Sequence, residues 1–178
     1  IKIQHISEYA LDNKSINLID VKYAPKKAFE KSSKKSNKYI KNCFLIAIKL
    51  INDGYTNKLI NGPILKKNFL NKKYLGITEY LADNFSTNNT AMLIYNKKLS
   101  VCPVTTHLPL KMVASKINKK IIYNKIMLIN SFYKKKFSYI PKIAILGLNP
   151  HCESILKNNE DEIIIKPLIN KLKKHNHK

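Results

Sequence analysis

The stretch IAILGLNPH, Ile143 to His151, decides how this chain is read. IAIL is short, uniformly apolar and preceded by Pro141, which fits a buried strand. Gly147 to Pro150 then breaks it into a loop. Upstream, Lys119 to Tyr133 sets Ile122, Ile126, Leu128 and Ile129 on one side of a long amphipathic helix. Downstream, Glu160 to Lys174 reads as a helix with acids at its start and lysines at its end, the order that suits the helix dipole. A buried strand between two helices is the repeating unit of an α/β sheet covered on both faces.

Working outward, the same alternation recurs. Ile16 to Val21 and Lys58 to Ile60 read as strands. Ala91 to Tyr95 and Leu99 to Val104 read as a hairpin-like pair joined by Asn96-Lys97-Lys98. Ser36 to Asn52 carries Ile40, Phe44, Ala47, Ile48 and Ile51 at helical spacing, and Asp53-Gly54 stops it. Thr78 to Phe85 is a second helix, with Thr78 as its cap. Leu108 to Ser115 is a third, entered through Pro109. Lys22 to Lys35 is a basic connection. The expected organisation is an incomplete N-terminal portion, residues 1–35, followed by an α/β portion, residues 36–178. The chain starts at Ile1 rather than Met and closes on a Lys-rich tail, so a piece truncated at both ends is expected.

The formal net charge is +22, which raises the question of nucleic acid. All 33 basic residues are Lys, and they are spread along the whole chain. Arg supplies the planar fork that clamps phosphate and reads guanine, and there is none here. Specific nucleic-acid binding is therefore not expected, although a basic binding module stays as an alternative. No apolar run is long enough to span a bilayer. Cys43, Cys102 and Cys152 have no Cys-x-x-Cys spacing and read as free thiols in a reducing, cytoplasmic compartment.

Three constellations could carry chemistry. In open α/β sheets ligands gather beyond the carboxyl ends of strands, so the loops after Ile60, Val104 and Leu146 matter most. His107 and His151 each begin such a loop. Two imidazoles supply half of a metal's donor set, or they are loop histidines with local hydrogen bonds; spacing alone leaves both open. In Asn61-Gly62-Pro63-Ile64-Leu65-Lys66, Lys66 either meets an anion or faces solvent beside a tight turn. In Gly76-Ile77-Thr78-Glu79, Thr78 either caps a helix or offers its hydroxyl to a ligand near exposed backbone N–H groups. His5, His175 and His177 lie near the ends and read as incidental. The glycine-rich dinucleotide and phosphate loops are absent.

Several stretches resemble one family in the right order. NGPILKKNF, Asn61 to Phe69, is close to T-G-P-x-x-K. LGITEYLAD, Leu75 to Asp83, is close to G-H-T-E-F-L-A. VTTHLPLKMV, Val104 to Val113, is nearly identical to T-T-H-L-P-L. ILGLNPHCE, Ile145 to Glu153, is close to G-L-N-P-H-A-G-E, and EIIIKPLI, Glu162 to Ile169, to a helix with the pattern E-x-x-x-I-x-P. These resemble the 4-hydroxythreonine-4-phosphate dehydrogenases of pyridoxal phosphate biosynthesis, from about Ser36 to Leu172.

The resemblance implies an α/β/α sandwich like that of the isocitrate and isopropylmalate dehydrogenases, in a homodimer whose active sites draw on both subunits. It implies NAD and a divalent metal (zinc, cobalt or magnesium), with His107 and His151 as two of three metal ligands and the third expected beyond the chain end. The substrate is a small phosphorylated amino acid, contacted by Thr78 and Lys66. Ile77 stands where the family has a substrate-binding His. The implied reaction oxidises 4-phosphooxy-L-threonine to a β-keto acid that decarboxylates to 3-amino-2-oxopropyl phosphate. Ile77 leaves a related enzyme of threonate or erythronate 4-phosphate as the alternative. No catalytic acid or base is assigned.

Overall fold

The computed structural model describes residues 14–70, 73–152, 155–156 and 158–174, so His5, His175 and His177 lie outside the described residues. Contacts group the chain into two compact units, Ile1–Phe85 and Ser86–Lys178.

The first unit is built on α1, Lys34–Asn52. Ser33 caps it through a reciprocal box: its hydroxyl accepts from the Ser36 N–H, and the Ser36 hydroxyl accepts from the Ser33 N–H. At the other end the chain turns at Gly54, whose φ of 81° is ordinary for glycine and costly for other residues. The Tyr55 N–H then reaches the Leu50 carbonyl, satisfying the helix end. α1 buries Phe44 and Ile48. Phe44 meets Phe69 of the short α2, Lys66–Phe69, with ring centroids 5.4 Å apart, and Tyr80 of α3, Ile77–Asn84, also at 5.4 Å. Phe69 and Tyr80 close the triangle at 5.3 Å. Edge-on and offset ring pairs each add about 0.5–1.5 kcal/mol beyond the area they bury, so three helices are fixed to one another by few residues.

The second unit packs around α5, Lys119–Phe137. Asn118 caps it, its side-chain oxygen accepting from the Ile121 N–H at 3.0 Å. It ends at Ser138, in the left-handed conformation. Pro109 leads into a 3-10 turn, Leu110–Met112, that continues as α4, Val113–Lys116. After the Gly147–Pro150 loop a π-helical turn, Asp161–Ile165, runs into α6, Lys166–Lys174. The core is Ile117, Ile122, Ile126, Ile165, Leu168 and Leu172. Val104, Ile143 and Ile145 pack against it, so the segments leading to both candidate histidine loops rest on one hydrophobic support.

The expected helices are present. The expected strands are not formed as a sheet: among the described residues the pairing is a single antiparallel bridge, Ile94 with Val101, with N–O distances of 2.8 and 3.0 Å. That bridge lies within the expected hairpin pair. Ile16–Val21, Lys58–Ile60 and Ile143–Leu146 make no ladder there. The physical reason is that a helix satisfies its backbone internally, whereas a strand needs a neighbour. The side chains agree: Ile16 is 95% exposed, Ile60 96% and Leu146 84%, with no second layer over them. No helix among the described residues is long and apolar enough to cross a membrane. All three cysteines are free.

Candidate functional site

In the first unit the aromatic triangle positions the two stretches singled out for substrate. Lys66 opens α2 and is exposed. Ile77 and Thr78 open α3 and are half-buried. The Asn37 amide on α1 donates to the Asn68 carbonyl, adding a polar tie to α2. Thr78 does not cap α3. Gly76 holds that position in extended backbone, without a side-chain hydrogen bond, which leaves Thr78 as the second residue of the helix. The first N–H groups of α3 are thus without a side-chain cap, and the Thr78 hydroxyl is not used as one. Next to it, the Tyr74 hydroxyl donates to Asp83 and, with Lys73, holds that carboxyl below its ordinary range.

In the second unit His107 and His151 share an unusual backbone. Each has φ 58°, in the left-handed region that side-chain-bearing residues rarely enter. Both are exposed, and among the described residues neither imidazole has a hydrogen-bond partner. His151 sits third in the turn Asn149-Pro150-His151-Cys152, closed by the Cys152 N–H on the Asn149 carbonyl at 3.0 Å. Turns with Pro second and a positive φ third normally use Gly or Asn in third place. A strained conformation that the surroundings must enforce is a recurrent mark of functional positions.

Beside this turn lies Asp161. Its carboxylate, 1% exposed, accepts from the Leu148 N–H (2.9 Å), the Asn149 N–H (2.9 Å) and the Asn149 side-chain amide (2.8 Å). Glu160 takes a longer bond, 3.3 Å, from the same amide. Burial opposes ionisation of Asp161, but the hydrogen bonds from Asn149 and Leu148 and the charge of Lys166 outweigh it, leaving its carboxyl below the usual range. Gly147 allows the close fit: a Cβ there would lie 2.5 Å from Cys152 Sγ and 2.9 Å from Asp161 Oδ1. From sequence, the acids at this helix start read as dipole partners, which leaves these loop hydrogen bonds out. The signal was present, since Asp161 falls on the buried stripe of Ile165, Leu168 and Leu172 at helical spacing.

Among the described residues no group of three or more His, Cys, Asp and Glu side chains is placed to hold a metal ion. The two histidines are thus at most part of a donor set.

Comparison with known proteins agrees with these stretches. All of the chain, residues 1–178, matches the family described as pyridoxal phosphate biosynthetic protein PdxA. A 4-hydroxythreonine-4-phosphate dehydrogenase of Sulfurihydrogenibium sp. (strain YO3AOP1) is 38% identical over 162 residues, covering 89% of this chain and 49% of the relative. One from Aquifex aeolicus (strain VF5) is 41% identical over 91 residues, 51% of this chain and 28% of the relative. The crystal structure of 4-hydroxythreonine-4-phosphate dehydrogenase from Klebsiella pneumoniae aligns with TM-score 0.68 at 28% identity, over 79% of this chain and 44% of that one. That likeness is consistent with an α/β fold. The chain spans about half the length, 49%, of the first of these relatives. On the match over its whole length, the chain belongs to the PdxA family of pyridoxal phosphate biosynthesis.

Proposed function

We propose that this chain forms the metal- and substrate-holding part of an NAD-dependent 4-hydroxythreonine-4-phosphate dehydrogenase. The reaction is oxidation of 4-phosphooxy-L-threonine to a β-keto acid that decarboxylates to 3-amino-2-oxopropyl phosphate. The observation that carries the reading is the pair of exposed histidines held at φ 58°, inside stretches that match relatives named for this activity.

His107 and His151 fit a divalent cation, because their ring nitrogens are exposed and make no hydrogen bond among the described residues. When bound, zinc, cobalt or magnesium supplies a Lewis acid that lowers the pKa of the substrate alcohol, and NAD supplies the hydride acceptor. The chain's own contribution is orientation. The two left-handed turns present the imidazoles, and a third donor comes from outside the described residues. In the first unit the Thr78 hydroxyl and the Lys66 ammonium bind the phosphorylated substrate. Ile77 adds an apolar contact where a polar one is expected. That half-buried side chain keeps open a second reading, a related dehydrogenase of threonate or erythronate 4-phosphate. In either case the enzyme is proposed to be a cytoplasmic homodimer of isocitrate-dehydrogenase-like α/β/α architecture, with sites shared between subunits.

The test is NADH formation by the purified protein with each phosphorylated substrate, before and after chelation and re-addition of zinc, cobalt or magnesium. Metal-dependent turnover of 4-phosphooxy-L-threonine is expected. Preference for erythronate 4-phosphate selects the second reading, and turnover that survives both chelation and His107→Ala removes the metal site.

A further inference from the structure

Asp161 contacts neither histidine, yet it is the most deeply buried charged group described, and its bonds converge on one loop. The path from it to His151 is short and fully hydrogen-bonded. The carboxylate fixes the Asn149 N–H and side-chain amide. The Asn149 carbonyl in turn accepts from the Cys152 N–H and closes the turn. His151 lies inside that closed turn at φ 58° and ψ 13°. A left-handed non-glycine residue costs about 1–2 kcal/mol relative to ordinary backbone, so the turn relaxes unless something holds both of its ends. The Asp161 carboxylate holds one end, and the Gly147–Cys152 contact packs the other. The π-helical turn at Asp161–Ile165 brings the carboxylate under the loop while Ile165 and Leu168 stay in the core.

We propose that Asp161 is a positioning residue for His151: by clamping Leu148 and Asn149 it sets the turn that presents this imidazole to the metal. The proposal rests on the metal reading above and adds a group that no resemblance assigned. It predicts dependence of the His151 ring, not of His107, on a carboxylate ten residues away in sequence.

Zinc binding by the purified protein, followed together with imidazole signals in spectra of protein carrying 15N-labelled histidine, tests it. In Asp161→Asn an amide donor faces the donors of Asn149. Zinc affinity is expected to fall about 10–100-fold, the range seen when the group behind a metal ligand is lost. The His151 signals move and those of His107 stay. Asp161→Glu restores part of the affinity, and Asp161→Asn adds nothing further in a His151→Ala background. A folded Asp161→Asn protein with unchanged zinc affinity and unchanged His151 signals overturns the proposal. Should that variant fail to fold, Asn149→Ala keeps the core intact and removes only the side-chain bonds. Moved His151 signals and a severalfold weaker zinc affinity support the clamp, and the absence of both overturns it. The reading beneath it fails separately: unchanged zinc affinity in His151→Ala removes the metal role, and the imidazole signals of Asp161→Asn then still decide the positioning.

Discussion

The two histidine turns have the same backbone angle and different support. His151 sits in a proline-led turn closed by a backbone hydrogen bond and clamped from below by a buried carboxylate. His107 stands at the same φ between the bend at Val104 and Thr105 and Pro109, which leads into the 3-10 turn before α4. One turn is held by a built polar anchor. The other follows a bend whose Val104 packs on the core, and it lies two residues before a proline whose own φ is fixed. Phe29, Ser86, Ser138 and Cys152 share this left-handed region, so the angle alone does not mark an imidazole; what separates the two histidine turns is the buried carboxylate under one of them.

The largest effect expected is functional. His107→Ala and His151→Ala should each cut metal-dependent turnover by more than the roughly 10–100-fold typical of disturbing a group behind a ligand, as read by NADH formation and metal content. If only one does, the symmetry of the two turns is broken. Gly147→Ala comes next. Its new Cβ, at 2.5 Å from Cys152 Sγ, should destabilise the second unit by about 1–3 kcal/mol and shift His151 but not His107 signals.

Glycine at either histidine sharpens the comparison further. His107→Gly and His151→Gly should each raise stability by about 1 kcal/mol in denaturant unfolding while losing metal, because glycine occupies φ 58° without strain. The alanine variants lose metal with no such gain. A rise at one site alone would show that the other turn is not strained.

Acid should separate the turns as well. The Asp161 carboxyl is depressed when folded, so its contribution is present above the unfolded carboxylate value of about 3.9 and is lost as pH falls through the lower folded value. Unfolding curves taken from neutral pH down to about pH 2 should lose stability at their acid end, and Asp161→Asn should flatten that acid limb. The smallest change belongs to Glu160→Ala, whose 3.3 Å bond to the Asn149 amide is worth about 0.5 kcal/mol.

What could be read from residues follows from where the backbone bonds go. α1 and α5 were legible because 3.6-residue periodicity and local caps act within one segment. α5 runs past Tyr133 to Phe137 because Lys134 to Lys136 continue the helix while adding no apolar signal, and Ser138 ends it. α3 starts one residue before Thr78 because Gly76 takes the cap. The apolar runs at Ile16 to Val21 and Ile143 to Leu146 have strand composition, but pairing depends on a neighbour that composition cannot supply. At the site, the histidine-bearing loops stood out by motif. Their left-handed angles did not, because φ there is set by turn closure. Asp161 escaped notice because an acid opening a helix has a ready surface explanation.

One ring cluster has a practical consequence. The chain has no tryptophan, and the rings of Tyr95 and Tyr139 both pack on Tyr133 and Phe137 at the end of α5. Asymmetrically packed tyrosines give near-ultraviolet circular dichroism, so this knot is an unlabelled optical gauge of the second unit. A second gauge, around Tyr74 and Tyr80, belongs to the first. Tyr95→Leu and Tyr74→Leu would apportion the shared tyrosine signal between the two clusters, so that the melting of each half is read by difference.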